Sequence, residues 1–319
     1  MANPTPNHCL FHLLILMIIL SDSATAFLSA WSKACVSAKP AEIHVPQGKF
    51  KIAGHVIFKG PCANKAISIT IDGELTLGFS HSKNIGISRL TSINSQHFHI
   101  VFNGCENVKI EGVKIIADGN SPNTDGIHVQ MSSNIIILKS KIRTGDDCIS
   151  IGPGTRNLHI ENIECGPGHG ISIGSLGWTR NEPGVQNVTV RTVTLTGTQY
   201  DVRIKSWGRP SSGFVKEVLF KNATMTDVQN PILIDQNYCP NNKNCPGQAS
   251  GVKISDVRYE DIHGTSATQV AMKFDCSSTN PCIGIKLENV KLTYKNQVAE
   301  ASCKNVGLNM ESVQPQHCS

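Results

Sequence analysis

Through the middle of the chain, aliphatic residues alternate with small or polar ones in short runs. Three of these runs can be written one beneath another: Asp125-Gly-Ile-His-Val129, Asp147-Cys-Ile-Ser-Ile151 and His169-Gly-Ile-Ser-Ile173. Their first residues are 22 positions apart in both steps. A period of two marks a strand with one buried face. A strand that returns at this interval marks a coiled solenoid, in which equivalent residues stack in columns. Two further runs extend the alignment, Tyr200-Asp-Val-Arg-Ile-Lys205 and Asn230-Pro-Ile-Leu-Ile-Asp235. The inward positions are then Ile127 and Val129, Ile149 and Ile151, Ile171 and Ile173, Val202 and Ile204, and Ile232 and Ile234. That aliphatic stack is what a parallel β-helix buries as its core. His128, Ser150, Ser172, Arg203 and Lys205 fall on the outward face.

A second pattern marks the corner of each coil. It reads Asn107-Val-Lys-Ile110, Asn134-Ile-Ile-Ile137, Asn157-Leu-His-Ile160 and Asn187-Val-Thr-Val190, with variants at Glu217, Gly251 and Gly284. Asn tolerates turn geometry and can hydrogen-bond along a stack of identical residues. The steps between corners are too irregular for a helical repeat array and suit coils with variable loops. Residues 25–35 read as one short amphipathic helix that caps the open end of the solenoid, and no helical periodicity follows residue 40. The fold class is therefore all-β, a parallel β-helix with a short N-terminal capping helix.

Composition narrows this further. The 319 residues are 39% hydrophobic and 17% charged with 27 Gly, enough for one large domain, placed at residues 27–319. A net charge of +5 without a long Lys/Arg run leaves a solvated surface or a polyanionic partner, and no nucleic-acid motif accompanies it. Twelve cysteines point to an oxidising compartment. Cys239/Cys245 and Cys276/Cys282 have the spacing of small disulfide-closed loops, whereas no Cys-x-x-Cys or His pair suggests zinc. Leu10–Leu20 is an apolar run followed by Ala24-Thr-Ala26, so residues 1–26 read as a signal peptide and the run is too short to span a bilayer. Sequons at Asn187 and Asn222 agree with secretion.

Adjacent strands lie about 4.8 Å apart, so Asp125, Asp147 and His169 should share one column with Asp146 beside it. Carboxylates sharing a cleft are the usual machinery of glycoside hydrolysis. Placed one rung apart they cannot all ionise normally, so one is expected to stay protonated at mildly acid pH. Arg203 and Lys205, outward on one strand, suit a substrate that carries carboxylates.

On these residues the chain resembles the polygalacturonases, pectin-hydrolysing glycoside hydrolases of the right-handed parallel β-helix class. Four motifs stand in that family's order: Asn123-Thr-Asp125, Gly145-Asp-Asp147, Gly168-His-Gly170 and Arg203-Ile-Lys205. Their wider context looks like the plant, pollen-type branch, which implies exo rather than endo attack. The resemblance implies an inverting mechanism in which Asp146 is the general acid and Asp125 and Asp147 hold and activate the water. His169 would support the acid's protonation, and Arg203, Lys205 and Tyr238 would bind galacturonate. It implies a secreted, monomeric protein whose partner is the galacturonan of the cell wall, with no cofactor, metal, nucleic acid or membrane. On this alignment Cys148 and Cys165 are expected to clamp adjacent rungs, leaving Cys105 unpaired.

Two stretches typical of the family are absent, one ahead of Thr25 and one near Gly78–Ile87. The competing reading is therefore a catalytically inactive, truncated wall-binding paralogue.

Overall fold

The computed structural model describes residues 11–14, 24–46, 62–64, 67–71 and 77–318. Each coil contributes one strand to a sheet whose nine strands lie in sequence order: β1 (Leu77–Ser80), β2 (Ile100–Asn103), β3 (Ile127–Gln130), β4 (Ile149–Ile151), β5 (Ile171–Leu176), β6 (Val202–Trp207), β7 (Ile232–Tyr238), β8 (Val270–Asp275) and β9 (Glu300–Lys304). Every neighbouring pair in this sheet is parallel. A second, larger sheet takes the remaining strand of each coil, from Lys83–Ser88 through to Cys282–Tyr294.

The register is the one that the alternation predicts. Ile127 faces Ile149, which faces Ile171, then Val202 and Ile232. All ten expected inward residues are fully buried. No helix-covered face is needed, because the chain closes on itself around that aliphatic column.

The asparagine corners form a ladder. Asn84, Asn107, Asn134, Asn157 and Asn187 all adopt positive φ, between 54° and 58°. Each Nδ2 donates to the Oδ1 one coil below, at 3.2, 3.1, 3.0 and 2.8 Å. Asparagine suits the site doubly, since it visits the left-handed region at low cost and offers both a donor and an acceptor. The corner expected at Gly251 lies at Asp256 instead, where φ is 53°, because Val218 pairs with Val257. Gly251-Val-Lys-Ile254 and Asp256-Val-Arg-Tyr259 carry the same alternation, and only the residue at the bend tells them apart.

At the N-terminal end α1 (Ala24–Val36) matches the expected helix and buries Ala24, Phe27, Ala30, Ala34 and Cys35 on one side. Phe27, Ala30 and Ala34 join the same core as Ile43 and Val45. Residues 1–10 and 15–23 of the expected leader, with Cys9, lie outside the described residues. Phe11–Leu14 of that run forms a strand paired with Ala41–Val45, and Ala24-Thr-Ala26 forms the first turn of the helix. Disulfides join Cys35–Cys62, Cys148–Cys165, Cys239–Cys245, Cys276–Cys282 and Cys303–Cys318, and Cys105 is a buried free thiol.

Asn157 allows the ladder to be tested. Asn157→Ala loses two hydrogen bonds and places a Cβ at positive φ, so chemical denaturation should show a loss of about 2–4 kcal/mol. Asn157→Gly loses the bonds alone and should be milder by roughly 1 kcal/mol. Equal losses for the two variants would mean that the backbone conformation contributes nothing.

Candidate active site

The site lies on the outer face of the nine-stranded sheet. His128, Ser150, Ser172 and Arg203 follow one another in register across β3, β4, β5 and β6. Two residues upstream of each strand's first inward residue, the turns place Asp125, Asp147, His169 and Tyr200 in a parallel column. Backbone hydrogen bonds stack those turns: the amide of Gly126 donates to Asp147 O at 2.9 Å, and that of Cys148 to Gly170 O at 2.7 Å.

Small residues make the stacking possible. A Cβ on Gly145 would sit 2.2 Å from Ser121 O, and Gly170, at φ +75°, would place one 1.9 Å from Tyr200 O. Thr124, buried between Asn123 and Asp125, accepts from the Gly145 amide at 3.0 Å and donates to Ser121 O at the same distance. The Asn-Thr-Asp and Gly-Asp-Asp turns are thereby tied across adjacent coils. The Cys148–Cys165 bridge fixes the Gly-Asp-Asp rung from behind.

The three carboxylates sit in three different environments. Asp147 is 1% exposed. It accepts from Arg203 Nη2 at 2.8 Å and Ser172 Oγ at 2.6 Å on one oxygen, and from Lys205 Nζ at 2.9 Å on the other. Burial works against its ionisation, but Lys205 and then Arg203 outweigh it and hold its carboxyl below the usual range. Asp146 is half-buried and accepts from His169 Nδ1 at 3.0 Å, the Asp147 amide at 2.8 Å and the Asn123 amide at 3.1 Å. Burial would raise it, yet the hydrogen bond and charge of His169, the Asp147 amide and Lys205 prevail and bring it down to about 2. For Asp125 burial prevails. Burial, then the charges of Asp147 and Asp146, push it up to about 8 against a Ser150 hydrogen bond and the charge of Lys205, which act to lower it.

The structure thus brings together all four residues expected at the catalytic centre, answers one question that the sequence left open and changes one expectation. The sequence left open which carboxyl is raised. It is Asp125, where burial and two neighbouring carboxylates outweigh the Ser150 hydrogen bond, whereas His169 and two backbone amides lower Asp146. Arg203 and Lys205 point outward as expected, but they are not free for a ligand. Both are buried and pair with Asp147. Tyr238 packs beside them, its ring 5.2 Å from Lys205 Nζ. Sequence reasoning passed over Tyr200, whose ring lies 4.0 Å from the Arg203 guanidinium and 5.6 Å, edge-on, from His169. The signal was present, since Tyr200 occupies the same column as Asp125, Asp147 and His169. Asp146, Asp147 and His169 also offer ligand atoms within 4.8 Å of one another. Arg203 and Lys205 already neutralise Asp147 there, so the donor set is saturated by the protein's own cations.

Residues 76–314 match the family described as glycosyl hydrolases family 28. A polygalacturonase from Prunus persica is 55% identical, with 93% of this chain and 90% of that protein covered. An exopolygalacturonase from Oenothera organensis is 36% identical, with 93% and 98% covered. The polygalacturonase structure from Erwinia carotovora aligns at a TM-score of 0.60 and 30% identity, covering 76% of this chain and 70% of that one. The Prunus alignment runs over 353 residues, more than the 319 of this chain, so that relative carries internal segments without a counterpart here.

Replacing Arg203 by Met leaves Asp147 buried with one cation. A depressed folded-state carboxyl stabilises above the usual carboxylate range and loses that contribution as pH falls through its folded value. Arg203→Met should therefore cost about 3–5 kcal/mol at pH 7 and distinctly less near pH 3. Denaturation curves at the two pH values check this, and a pH-independent loss would refute the pairing as its source. Asp201 is the opposite case: fully buried, its carboxyl is raised well above the ordinary value despite a hydrogen bond from Thr198. Such a group favours the folded state at acid pH and opposes it as pH rises. Asp201→Asn should flatten the fall in Tm between pH 5 and 8, and an unchanged slope would show that Asp201 does not titrate there.

Proposed function

The chain belongs to glycosyl hydrolases family 28, and on that premise we propose that it hydrolyses the α-1,4 bonds of polygalacturonate in the cell wall with inversion of configuration. Its fold, a right-handed parallel β-helix, is that of the family. One observation carries the reading: three carboxylates share a patch of the outer face, yet each is held in a distinct state by different neighbours. Asp147 is clamped by two cations, Asp125 is buried beside the other two with its carboxyl pushed up, and Asp146 is the half-buried one against His169.

Asp146 is the general acid. It delivers its proton to the glycosidic oxygen as the C1–O bond breaks, while water adds to C1 from the opposite face and passes its own proton to the Asp125–Asp147 pair, which carries one negative charge. Asp125 and Asp147 hold and activate that water, and inversion requires an acid–base separation of about 6.5–9.5 Å. Asp146 must be protonated to act, which is not its resting state. A galacturonan strand in the groove brings further negative charge and excludes water, and both raise a carboxyl. His169, whose Nδ1 lies 3.0 Å from Asp146, supports the protonation state of the acid. Arg203 and Lys205 set the charge of the floor on which galacturonate carboxylates lie, and Tyr238 borders it.

The catalytic rungs are complete, so nothing favours the inactive wall-binding alternative. We adopt the exo mode, following the name of the Oenothera relative. We place the protein outside the cell, as a monomer acting on galacturonan. Five disulfides among the described residues support an oxidising compartment. Among the described residues, no helix is long and apolar enough to cross a membrane.

The purified protein should release reducing ends from polygalacturonate between pH 4 and 7, and their complete absence would reject the activity. Asp146→Asn keeps the shape of the side chain but has no proton to give, so kcat should fall by about 10²–10⁴ with polygalacturonate binding retained. Near-normal hydrolysis by a folded Asp146→Asn protein would move the acid's role to Asp125, the carboxyl that already carries a proton.

A further inference from the structure

Beyond the carboxylates, the groove wall holds an aromatic and guanidinium ledge that the mechanism does not use. β6 ends at Trp207, and the turn after β5 carries Trp178, whose indole is 54% exposed. That turn is built around buried Glu182, which accepts from the amides of Gly177 and Trp178. Trp178 and Trp207 meet edge to face at 5.0 Å, and Trp207 meets Tyr238 in the same way at 5.1 Å. Tyr238 in turn neighbours Lys205, which pairs with Asp147. The contacts therefore run without a break from the catalytic carboxylates to the wall.

Arg209 sits over this ledge. Its guanidinium is 4.1 Å from the Trp178 ring centre and 5.7 Å from that of Trp207, and Nη1 donates to Trp178 O at 3.4 Å. The cation–π contact and this hydrogen bond hold the guanidinium in place and leave its other N–H groups available to grip a carboxylate. With Arg180, it lines a depression of about 350 Å³. Among the described residues neither guanidinium pairs with a carboxylate, unlike Arg203 and Lys205.

The sheet itself offers a polyanion a mixed path. Along the register, Lys205 is followed by Asp235 and Asp275 before Lys304 is reached, with Lys273 in the neighbouring row. A galacturonan strand that continued straight past Lys205 would lay its carboxylates over two others.

We propose that Trp178, Trp207 and Arg209 form a subsite for a galacturonate unit away from the scissile bond, drawing the polymer off the sheet and onto the wall. The guanidinium takes the sugar carboxylate, and the indole packs against the apolar face of the sugar ring. The choice of galacturonate as ligand rests on the hydrolase reading above.

Calorimetric titration with polygalacturonate and with fully methyl-esterified pectin tests the subsite, with hydrolysis measured in parallel. Arg209→Ala should weaken polygalacturonate binding about ten-fold, the loss of a charge-assisted hydrogen bond, with a much smaller effect on the neutral ester. Arg209→Lys should recover part of that loss. Trp178→Ala should weaken both ligands to a similar degree, because stacking does not depend on charge. Parent-like polygalacturonate binding by folded Arg209→Ala and Trp178→Ala proteins would overturn the subsite. A parent protein that binds polygalacturonate without releasing reducing ends would overturn the catalytic reading, while the binding ratios still decide the ledge. A parent that does neither would overturn both.

Discussion

Parallel, in-register stacking of one coil on the next is the constraint on which the rest of this molecule depends. The aliphatic columns can be buried only if Ile127, Ile149, Ile171, Val202 and Ile232 superpose, and a slip of one residue would turn the whole set outward. Once that register is set, residues separated by some 22 positions in sequence come within contact distance, and the active centre follows from it. Each coil brings one functional turn. The Asn ladder at the corners acts in the same direction, since its hydrogen bonds form only when corners align.

Stacking carboxylates at strand spacing has an electrostatic cost, and the structure meets it three ways within a few ångströms. Asp147 is neutralised by Arg203 and Lys205 from two coils away in sequence order. Asp146 is stabilised as an anion by His169 and by two backbone amides. Asp125 pairs with no cation directly, and burial with the charges of Asp147 and Asp146 outweighs Ser150 and Lys205 and pushes its carboxyl up. Identical side chains thereby acquire unequal proton affinities, which is the condition for dividing acid and base roles between them. The burial of Arg203 and Lys205 is the structural counterpart of this arrangement: their first partner is a carboxylate of the protein.

The coils are uniform at their strands and free at their turns. The strands fix the polar floor of His128, Ser150, Ser172 and Arg203. The turns after β5 and β6 build a wall of Trp178, Trp207 and Arg209 that the repeat does not prescribe. The carboxylates stand on the repeating part, and the aromatic and guanidinium ledge on the variable part.

Much of this was legible in the sequence because the repeat makes it redundant. Five runs with the same alternation identified the inward residues, placed Asp125, Asp147 and His169 in one column, and located the Asn corners from 107 to 187. Cysteine spacing foretold the two small loops. Where the repeat loosens, sequence reasoning failed: alternation alone could not choose between Gly251 and Asp256 as a corner, because both frames bury the same kind of residue. It also could not say which carboxyl keeps its proton. That depends on which donors surround each group after burial, and the donors to Asp147 come from residues 56 and 58 positions away. The direction in which Arg203 and Lys205 point, and the meeting of Trp178 with Arg209, likewise exist only once the coils are stacked. A local pattern records which face a residue takes, whereas the neighbour it meets across that face is set by tertiary packing.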